Sequence, residues 1–390
     1  MGIKEDSDLF LIDEKRLINT TSDLVKIESI NPPGLEEEVG KYLMNFFQEA
    51  SIEAWTIPVE GSRFDVVARI PGKDSTSSLA FTGHMDVVPV SEKERLRWKT
   101  PPFSGEIQGE FIRGRGSADM KGGLASAMVA MREIVKRGII PQNDIYLIAT
   151  VDEEDGMKGS KALLKEPFLD SVSLMVVCEP TSLKACIAGK GRTYGNIRIT
   201  GKTGHGSQGK GHNAIDFMRK LLNRMEETRF PEYQGTPYGD SFLQCLAIHA
   251  GVEPCVVPDE LELRVDARLV PEHKTESVWK KMEEILEELK GENAGYEAAI
   301  EIIDQREGWT MKEDSPKILQ LRDVFEELKI PFQTDYFAGT TDGSIFRKKS
   351  KDCIIVGPGD LSCVHQENEK VAIRELIDSC KIYFEMMRRF

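Results

Sequence analysis

The sequence predicts an α/β protein with a mixed, mostly parallel central sheet flanked by helices, and with an inserted ferredoxin-like α+β domain. Two observations predict the central sheet. Short aliphatic and β-branched runs bounded by turn residues are typical of buried parallel strands, and segments of helical spacing alternate with them. A third observation, a change to alternating strands near residue 190, predicts the inserted domain.

Four predicted strands are followed by histidine or acidic residues. The strands and the residues after them are 78–81 with His84, 145–151 with Glu153 and Glu154, 174–178 with Glu179, and 353–356 with His365. Ligands of open α/β sheets gather beyond the carboxyl ends of the strands, so we expect these side chains on one rim. Asp119 comes just before a predicted helix and is expected at the same rim.

Helical spacing of apolar residues predicts the helices that flank the central sheet. They cover residues 13–27, 35–49, 121–137, 316–329 and 370–389. The Asn-Pro-Pro-Gly sequence at 31–34 breaks the chain between the first two, and Gly138 ends the third.

The segment after residue 190 has the β-α-β-β-α-β order of the ferredoxin-like fold. Its strands are predicted at 194–200, 243–250, 260–268 and 298–303, and its helices at 213–227 and 277–290. We therefore predict a main domain built from residues 1–189 and 305–390, with an inserted domain at 190–304.

Composition excludes several classes of protein. The chain has 390 residues, 40% of them hydrophobic, and a net charge of −14, which is typical of a soluble protein and unfavourable for nucleic acid or an anionic membrane. No apolar run approaches the roughly 20 residues of a membrane span, and residues 1–6 do not resemble a signal peptide. Seven scattered cysteines without a CxxC pair favour a cytoplasmic location.

The residues on the predicted rim have the composition of a metal site. Histidine and carboxylate ligands without cysteine suit zinc, cobalt or manganese. The candidate ligands are His84, Asp119, Glu154, Glu179 and His365. One catalytic zinc needs fewer than five, whereas two ions that share a bridging carboxylate would use them all. Two-metal hydrolases hold their ions roughly 3.5–4 Å apart with a water between them.

Neighbouring acids on the rim suggest different roles. Successive strand side chains diverge, so of Glu153 and Glu154 one is expected to bind metal and the other to act as general base on a bound water. Asp86 follows His84 at i, i+2 spacing, where its carboxylate is expected to orient the histidine ring.

Five motifs in order resemble one family of di-zinc metallopeptidases, which includes acetylornithine deacetylase, succinyl-diaminopimelate desuccinylase, aminoacylase and carboxypeptidase G. The motifs are Gly-His-Met-Asp at 83–86, Gly-Ser-Ala-Asp-Met-Lys-Gly-Gly at 116–123, Asp-Glu-Glu at 152–154, Glu-Pro-Thr at 179–181 and Val-His-Gln-Glu-Asn-Glu at 364–369. The resemblance covers nearly the whole chain and implies a zinc-exopeptidase-like catalytic domain interrupted by a lid and dimerisation domain.

The resemblance also implies a role for each candidate ligand. Asp119 would bridge two zinc ions, with cobalt or manganese as substitutes. His84 and Glu179 would complete one site, and Glu154 and His365 the other. Glu153 would be the general base and Asp86 would orient His84. A cis peptide bond is expected between residues 119 and 120.

The inserted domain resembles the lid of the same family. His205 would stabilise the oxyanion, in the family often across a homodimer interface, and Arg268 would bind the substrate carboxylate. Thr340, Thr341 and Gly343 would form a substrate loop. Each assignment also has a purely structural interpretation. His205 suits a flexible turn, Arg268 suits an outward-facing charge on a strand, and the loop at 340–343 suits a plain turn. Cys255 stands where many relatives have asparagine.

The sequence therefore predicts a cytoplasmic, homodimeric di-zinc deacylase of N-acyl amino acids. The open alternatives are a dipeptidase or carboxypeptidase of the same family, which would act on short peptides, and a non-catalytic metal- or ligand-binding relative. The filled positions of Glu153 and all five ligands argue against the last.

Overall fold

The computed structural model describes residues 12–228, 230–251, 255–350 and 352–390. The predicted absence of a signal peptide concerns residues that lie outside these ranges. The strands are β1 (Glu53–Glu60), β2 (Arg63–Ile70), β3 (Asp74–His84), β4 (Glu106–Gln108), β5 (Phe111–Arg113), β6 (Asn143–Thr150), β7 (Val172–Val177), β8 (Ala185–Gly189), β9 (Gly191–Thr200), β10 (Phe242–Ala250), β11 (Glu260–Leu269), β12 (Glu297–Arg306), β13 (Trp309–Thr310), β14 (Thr334–Phe337), β15 (Asp352–Ile355) and β16 (Lys370–Ala372).

Ten α-helices accompany these strands in the described residues. They are α1 (Glu14–Lys26), α2 (Glu37–Glu49), α3 (Glu92–Arg95), α4 (Gly122–Lys136), α5 (Lys158–Leu163), α6 (Ala214–Glu227), α7 (Thr275–Glu292), α8 (Pro316–Glu327), α9 (Gly343–Phe346) and α10 (Ile373–Arg389). None of the helices in the described part of the chain is long and apolar enough to cross a membrane.

The chain forms two compact units. Unit 1 contains the described residues of Met1–Ile187, Met311–Phe337 and Thr341–Phe390, and unit 2 contains those of Ala188–Thr310 and Ala338–Thr340. The domain boundaries predicted at 189/190 and 304/305 remain predictions.

The large sheet has the mixed order β1-β2-β6-β3-β7-β15-β8-β13, with β14 also beside β8. Its centre is parallel, because β3 pairs in parallel with β6 and β7, and β15 pairs in parallel with β7. The carboxyl ends of these four strands therefore share one edge of the sheet. The predicted α/β fold with a mixed central sheet flanked by helices is confirmed.

The C-terminal segment differs from the prediction at its start. Residues 370–389 were expected to form one helix, but Lys370–Ala372 form β16, and α10 begins only at Ile373. β16 pairs with β5 in a small separate sheet of order β16-β5-β4. This pairing places the segment that follows His365 beside the segment that leads to Asp119.

Unit 2 contains the predicted β-α-β-β-α-β order as β9, α6, β10, β11, α7 and β12. Its antiparallel sheet has the order β10-β11-β9-β12. Along β11 the predicted inward residues are buried, and they are Leu261, Leu263, Val265 and Ala267. The first three form an apolar core with side chains of α6 and α7, such as Phe217 and Trp279.

Candidate metal centre and substrate residues

The structure places the two predicted histidines at different oxygens of Asp119. His84 Nε2 lies 3.0 Å from Asp119 Oδ1, and His365 Nε2 lies 3.2 Å from Asp119 Oδ2. Because each oxygen of one carboxylate faces a different histidine, Asp119 has the arrangement of a bridging ligand. The peptide bond that follows Asp119 is cis, as the sequence resemblance implied.

A glutamate lies beside each histidine. Glu179 Oε1 is 3.8 Å from His84 Nε2, and Glu154 Oε1 is 3.1 Å from His365 Nε2. The five predicted ligands therefore come together as two groups that share Asp119. One group is His84 with Glu179, and the other is His365 with Glu154.

His84 is held by the sheet. It is the last residue of β3, pairs with Thr150 of β6 and is 1% exposed. His84 Nδ1 lies 2.9 Å from the main-chain oxygen of Asp86 and 3.6 Å from its carboxylate Oδ1. When Nδ1 donates to that carbonyl, Nε2 of the neutral ring is free to bind a metal on the side of Asp119.

The Asp86 carboxylate also holds the loop after β6, and its role in orienting the His84 ring stays a prediction. Its Oδ1 accepts from the N–H of Glu153 at 3.2 Å, and its Oδ2 accepts from the N–H of Glu154 at 3.1 Å. The carboxylate of Glu153 lies within 4.8 Å of the candidate ligand atoms of His84 and Glu179. Glu153 therefore borders the same site as the ligands.

A buried polar network that was not predicted from the sequence lies beside this loop. Asn31 Nδ2 donates to Asp86 Oδ2 at 2.9 Å and to Asp152 Oδ1 at 3.1 Å. Arg63 pairs with the same Asp152 oxygen at 3.0 Å and with Glu36. No local pattern links these residues, because they come from a turn, a strand start and a helix start. Only the three-dimensional pairing of the strands brings them together.

The electrostatics of the centre favour cations. Burial raises the pKa of Glu179 well above its usual range, and the charge of Asp119 raises it further. Hydrogen bonds with Asp119 and Glu154 raise the pKa of His365 to about 10. Burial lowers the pKa of His84, but its hydrogen bond with Asp119 and the nearby carboxylates outweigh burial and leave the pKa well above its usual range. The carboxylates therefore stabilise positive charge at both histidines.

The spacing of the donor atoms fits divalent metal ions. Ligand atoms at about 2.0–2.1 Å from a tetrahedral ion are separated by roughly 3.3 Å. The four histidine–carboxylate separations lie between 3.0 and 3.8 Å. Imidazole nitrogen and carboxylate oxygen are also the donor types that zinc, cobalt and manganese share. Both groups thus suit a metal ion.

His205 belongs to unit 2, in an exposed loop. Its Nδ1 accepts from Ser207, with the hydroxyl at 2.9 Å and the N–H at 3.3 Å. The adjacent Gly206 N–H donates to the carbonyl of Cys255 at 2.8 Å. This hydrogen bond places Cys255, which is exposed and has a φ of 70°, beside the His205 loop. The role of His205 stays a prediction.

Arg268 belongs to a row of three arginines on one face of the unit 2 sheet. Arg268 pairs with Arg192 across β11 and β9, and Arg192 pairs with Arg306 across β9 and β12. Asp266 accepts from Arg192 Nε at 2.6 Å and from Arg268 Nε at 2.9 Å, and Asp304 accepts from Arg306 Nε at 2.6 Å. Three guanidinium groups therefore lie in a row on this face, beside two aspartates.

Burial lowers the pKa of Arg268, and the positive charge of Arg192 lowers it further. Of the three arginines, only Arg268 was predicted from the sequence, and Arg192 and Arg306 were not. Alternation along each strand does place these side chains on one face. The register between strands, which decides whether they are neighbours, cannot be read from alternation alone.

The predicted substrate loop contains an internal hydrogen bond. Thr341 Oγ1 accepts from the N–H of Gly343 at 3.2 Å, so that N–H already has a partner within the loop. Asp342 accepts from the hydroxyl of Thr150 at 2.6 Å, which ties the loop to the end of β6. Within the described residues, the buried hydroxyl of Thr340 has no hydrogen-bond partner.

A known family matches most of the chain. A model of peptidase family M20/M25/M40 matches residues 80–389. The chain belongs to this family. As an M20 family member, it is a metal-dependent hydrolase that acts on amide bonds. The recognition of the metallopeptidase family from the five sequence motifs is confirmed.

Similar proteins extend this result over nearly the whole chain. A probable succinyl-diaminopimelate desuccinylase of Staphylococcus aureus is 28% identical over 389 residues, which are 92% of this chain and 93% of the relative. An M20 family metallo-carboxypeptidase of Sulfolobus solfataricus has a TM-score of 0.81 at 17% identity, covering 97% of this chain and 99% of its own. An aminopeptidase PepT of Bacillus cereus has a TM-score of 0.79 at 22% identity, covering 97% and 98%. The two structures support the fold.

Proposed function

We propose that this M20 enzyme is a di-zinc deacylase that hydrolyses the amide bond of N-acyl amino acids, with N-succinyl substrates the first to test. The observation that carries the proposal is the position of Asp119, whose two oxygens face His84 and His365 at 3.0 and 3.2 Å. The name of the Staphylococcus aureus relative supports the acyl group, and the arginine row of unit 2 suits an anionic substrate.

The proposed roles follow from the positions of the side chains. Asp119 would bridge two ions, His84 and Glu179 would hold one, and His365 and Glu154 would hold the other, with cobalt or manganese as substitutes for zinc. When bound, such ions polarise a carbonyl oxygen and lower the pKa of a bound water to about 7. Asp86 keeps both glutamates in place through their N–H groups.

Glu153 is the proposed general base. It accepts a proton from the water that attacks the amide carbon, and it later delivers that proton to the leaving nitrogen as the C–N bond breaks. The products are a carboxylate and a free amine. Arg268 binds the substrate carboxylate and Thr340, Thr341 and Gly343 border it, while His205 stabilises the negative charge on the carbonyl oxygen.

We also propose a homodimer through unit 2. β10 is an edge strand of that sheet, and its Leu246 and Ile248 side chains are exposed. An exposed edge with apolar side chains is a surface on which a second copy can add its own strand.

We propose a cytoplasmic location as well. The seven unpaired cysteines are consistent with a reducing cytoplasm.

A panel of substrates tests the proposed reaction. Hydrolysis of N-succinyl and N-acetyl amino acids should exceed that of dipeptides under the same metal loading. A clear preference for dipeptides would replace the deacylase with a dipeptidase or carboxypeptidase. Loaded protein that hydrolyses no member of the panel would favour a non-catalytic relative.

The Arg268→Gln variant tests carboxylate binding. We expect KM for N-acyl amino acids to rise by roughly tenfold or more, because a charge-assisted bidentate pair is lost. Arg198→Gln is the matched control, since Arg198 lies on the same sheet but pairs with Glu262 and Glu301 at the surface. Equal KM values in the two variants would remove Arg268 from the substrate site.

A further inference from the structure

Two buried residues, Arg115 and Glu369, join the segment that carries Asp119 to the segment that carries His365. Glu369 Oε1 accepts from the N–H groups of Ala118 at 3.0 Å and Asp119 at 3.2 Å. Glu369 Oε2 accepts from Arg115 NH1 at 2.9 Å. Both side chains are almost completely buried, so this contact is shielded from solvent.

Arg115 holds the His365 segment at a second point. Its NH1 group also donates to the carbonyl oxygen of Gln366 at 3.2 Å, so one guanidinium contacts both ends of the segment 366–369. Its NH2 group donates to Glu94 Oε1 at 2.6 Å, and its Cζ atom lies 5.5 Å from the centre of the Trp98 ring. The arginine is therefore also held by residues outside the segment 366–369.

The two segments pair with each other through β5 and β16, and each carries its metal ligand a few residues away from this pairing. β16, which follows Glu369, pairs with β5, and the N–H of Gly114 donates to the Glu369 carbonyl at 3.0 Å. Asp119 lies four residues after Arg115, and His365 lies four residues before Glu369. Asp119 is thus held directly at its main-chain N–H, whereas His365 is held through the short segment that follows it.

His365 depends on such support more than His84 does. The His365 side chain is 47% exposed, and the residue has a φ of 59°, outside any strand. A left-handed conformation is unfavourable for a residue other than glycine and persists when its surroundings enforce it. The contacts that Arg115 and Glu369 make at 366 and 369 supply that restraint.

We propose that Arg115 and Glu369 are positioning residues for one half of the metal centre, the half formed by His365 and Glu154. This inference rests on the proposed two-metal function. Neither residue is itself a ligand. They fix the His365 segment relative to Asp119, so that both reach the same ion without a large loss of loop freedom on binding.

The test is Glu369→Gln, measured by metal binding and by hydrogen exchange of the metal-free protein. The matched control is Glu385→Gln, because Glu385 is equally buried and paired with Arg388 and Arg389 but does not contact the His365 segment. In Glu369→Gln we expect the affinity for one of two zinc ions to fall about 10–100-fold and the other to stay unchanged. Amide exchange within 361–369 should accelerate in that variant only.

Three results would overturn the inference. The first is zinc binding and exchange in Glu369→Gln equal to those of Glu385→Gln. The second is an equal loss of affinity for both ions, which would mean that Glu369 supports Asp119 rather than the His365 half. The third is a wild-type protein that binds no zinc, which alone among these results would also remove the proposed function.

Arg115→Lys keeps the test decisive if Glu369→Gln does not fold. Lysine retains the positive charge but lacks the planar fork that reaches Glu369, Gln366 and Glu94 together. We expect the same selective loss of one zinc ion, with faster exchange at 361–369. Unchanged binding of both ions in a folded Arg115→Lys protein would contradict the proposal.

Discussion

The two halves of the candidate metal centre are built differently. His84 ends a strand that is paired on both sides, and its side chain is buried. His365 lies in an irregular segment, and its side chain is half exposed. The first half is therefore positioned by main-chain hydrogen bonds of the sheet, and the second by buried side-chain contacts. A site can combine a rigid half with one whose geometry depends on a few polar residues.

The largest loss of activity is expected from a substitution of Glu153, which belongs to neither of these two supports. Glu153→Gln should lower kcat by roughly 10²–10⁴-fold, the usual contribution of a general base. Glutamine has nearly the same size as glutamate. The hydrogen bond to Asp86 is donated by the main-chain N–H of residue 153 and is kept in the variant, so both metal ions should stay bound. Kinetics with metal analysis of the same sample measure both effects.

Near-normal kcat in Glu153→Gln would exclude the residue as base. Loss of metal together with activity would make Glu153 a ligand instead, in agreement with its closeness to His84 and Glu179.

Alanine substitutions of the two histidines should have an effect of intermediate size on stability, and this effect should differ between the two halves. His84→Ala leaves a cavity in a buried strand end, so we expect a lower Tm as well as loss of metal. His365→Ala removes a half-exposed side chain, so we expect loss of one metal ion with little change in Tm. The Tm of both variants should be measured without metal, because bound metal would itself stabilise the folded protein.

Equal destabilisation by the two alanine substitutions would contradict the distinction between a sheet-supported half and a tethered half. A larger fall in Tm for His365→Ala would reverse it.

The smallest effect concerns the support under the loop after β6. Asp65 accepts from the N–H of Val151 at 2.9 Å. Burial raises its pKa well above the usual range, and the charges of Asp342 and Asp86 add to this despite that hydrogen bond. The folded protein therefore holds this proton more tightly than the unfolded chain. Stability from Asp65 is complete below its unfolded pKa of about 4 and is lost as pH rises through the folded pKa.

Asparagine does not titrate, so Asp65→Asn should become more stable relative to wild type as pH rises from 5 to 8, by about 2 °C or more in Tm. Thermal unfolding across that range measures the difference. A constant difference, or one that shrinks as pH rises, would show that Asp65 does not titrate with a raised pKa.

Much of the first half could be predicted from the sequence, because a strand end fixes where its next residues lie. His84 and Glu179 follow apolar runs whose parallel pairing puts them on one rim. Asp119 and His365 were also expected on this rim, from the helix start that Asp119 precedes and the strand that His365 follows, but their roles as ligands of particular ions came from motif resemblance. Their position depends on β16 pairing with β5, and β16 was predicted as part of a helix.

The supporting residues could not be predicted. Arg115 and Glu369 are 254 residues apart, and Asn31 and Asp152 are 121 apart. A charged residue in a loop is usually solvated, so burial of Arg115 appears only when its partners are known. The arginine row of unit 2 likewise requires the register of three strands.

The most direct test of the two-metal account is the number of zinc ions per chain in gently purified protein, with hydrolysis of N-succinyl and N-acetyl amino acids before and after chelation. The account predicts two ions, loss of hydrolysis on chelation and recovery when zinc, cobalt or manganese is restored. One ion or none, together with hydrolysis that persists after chelation, would contradict it.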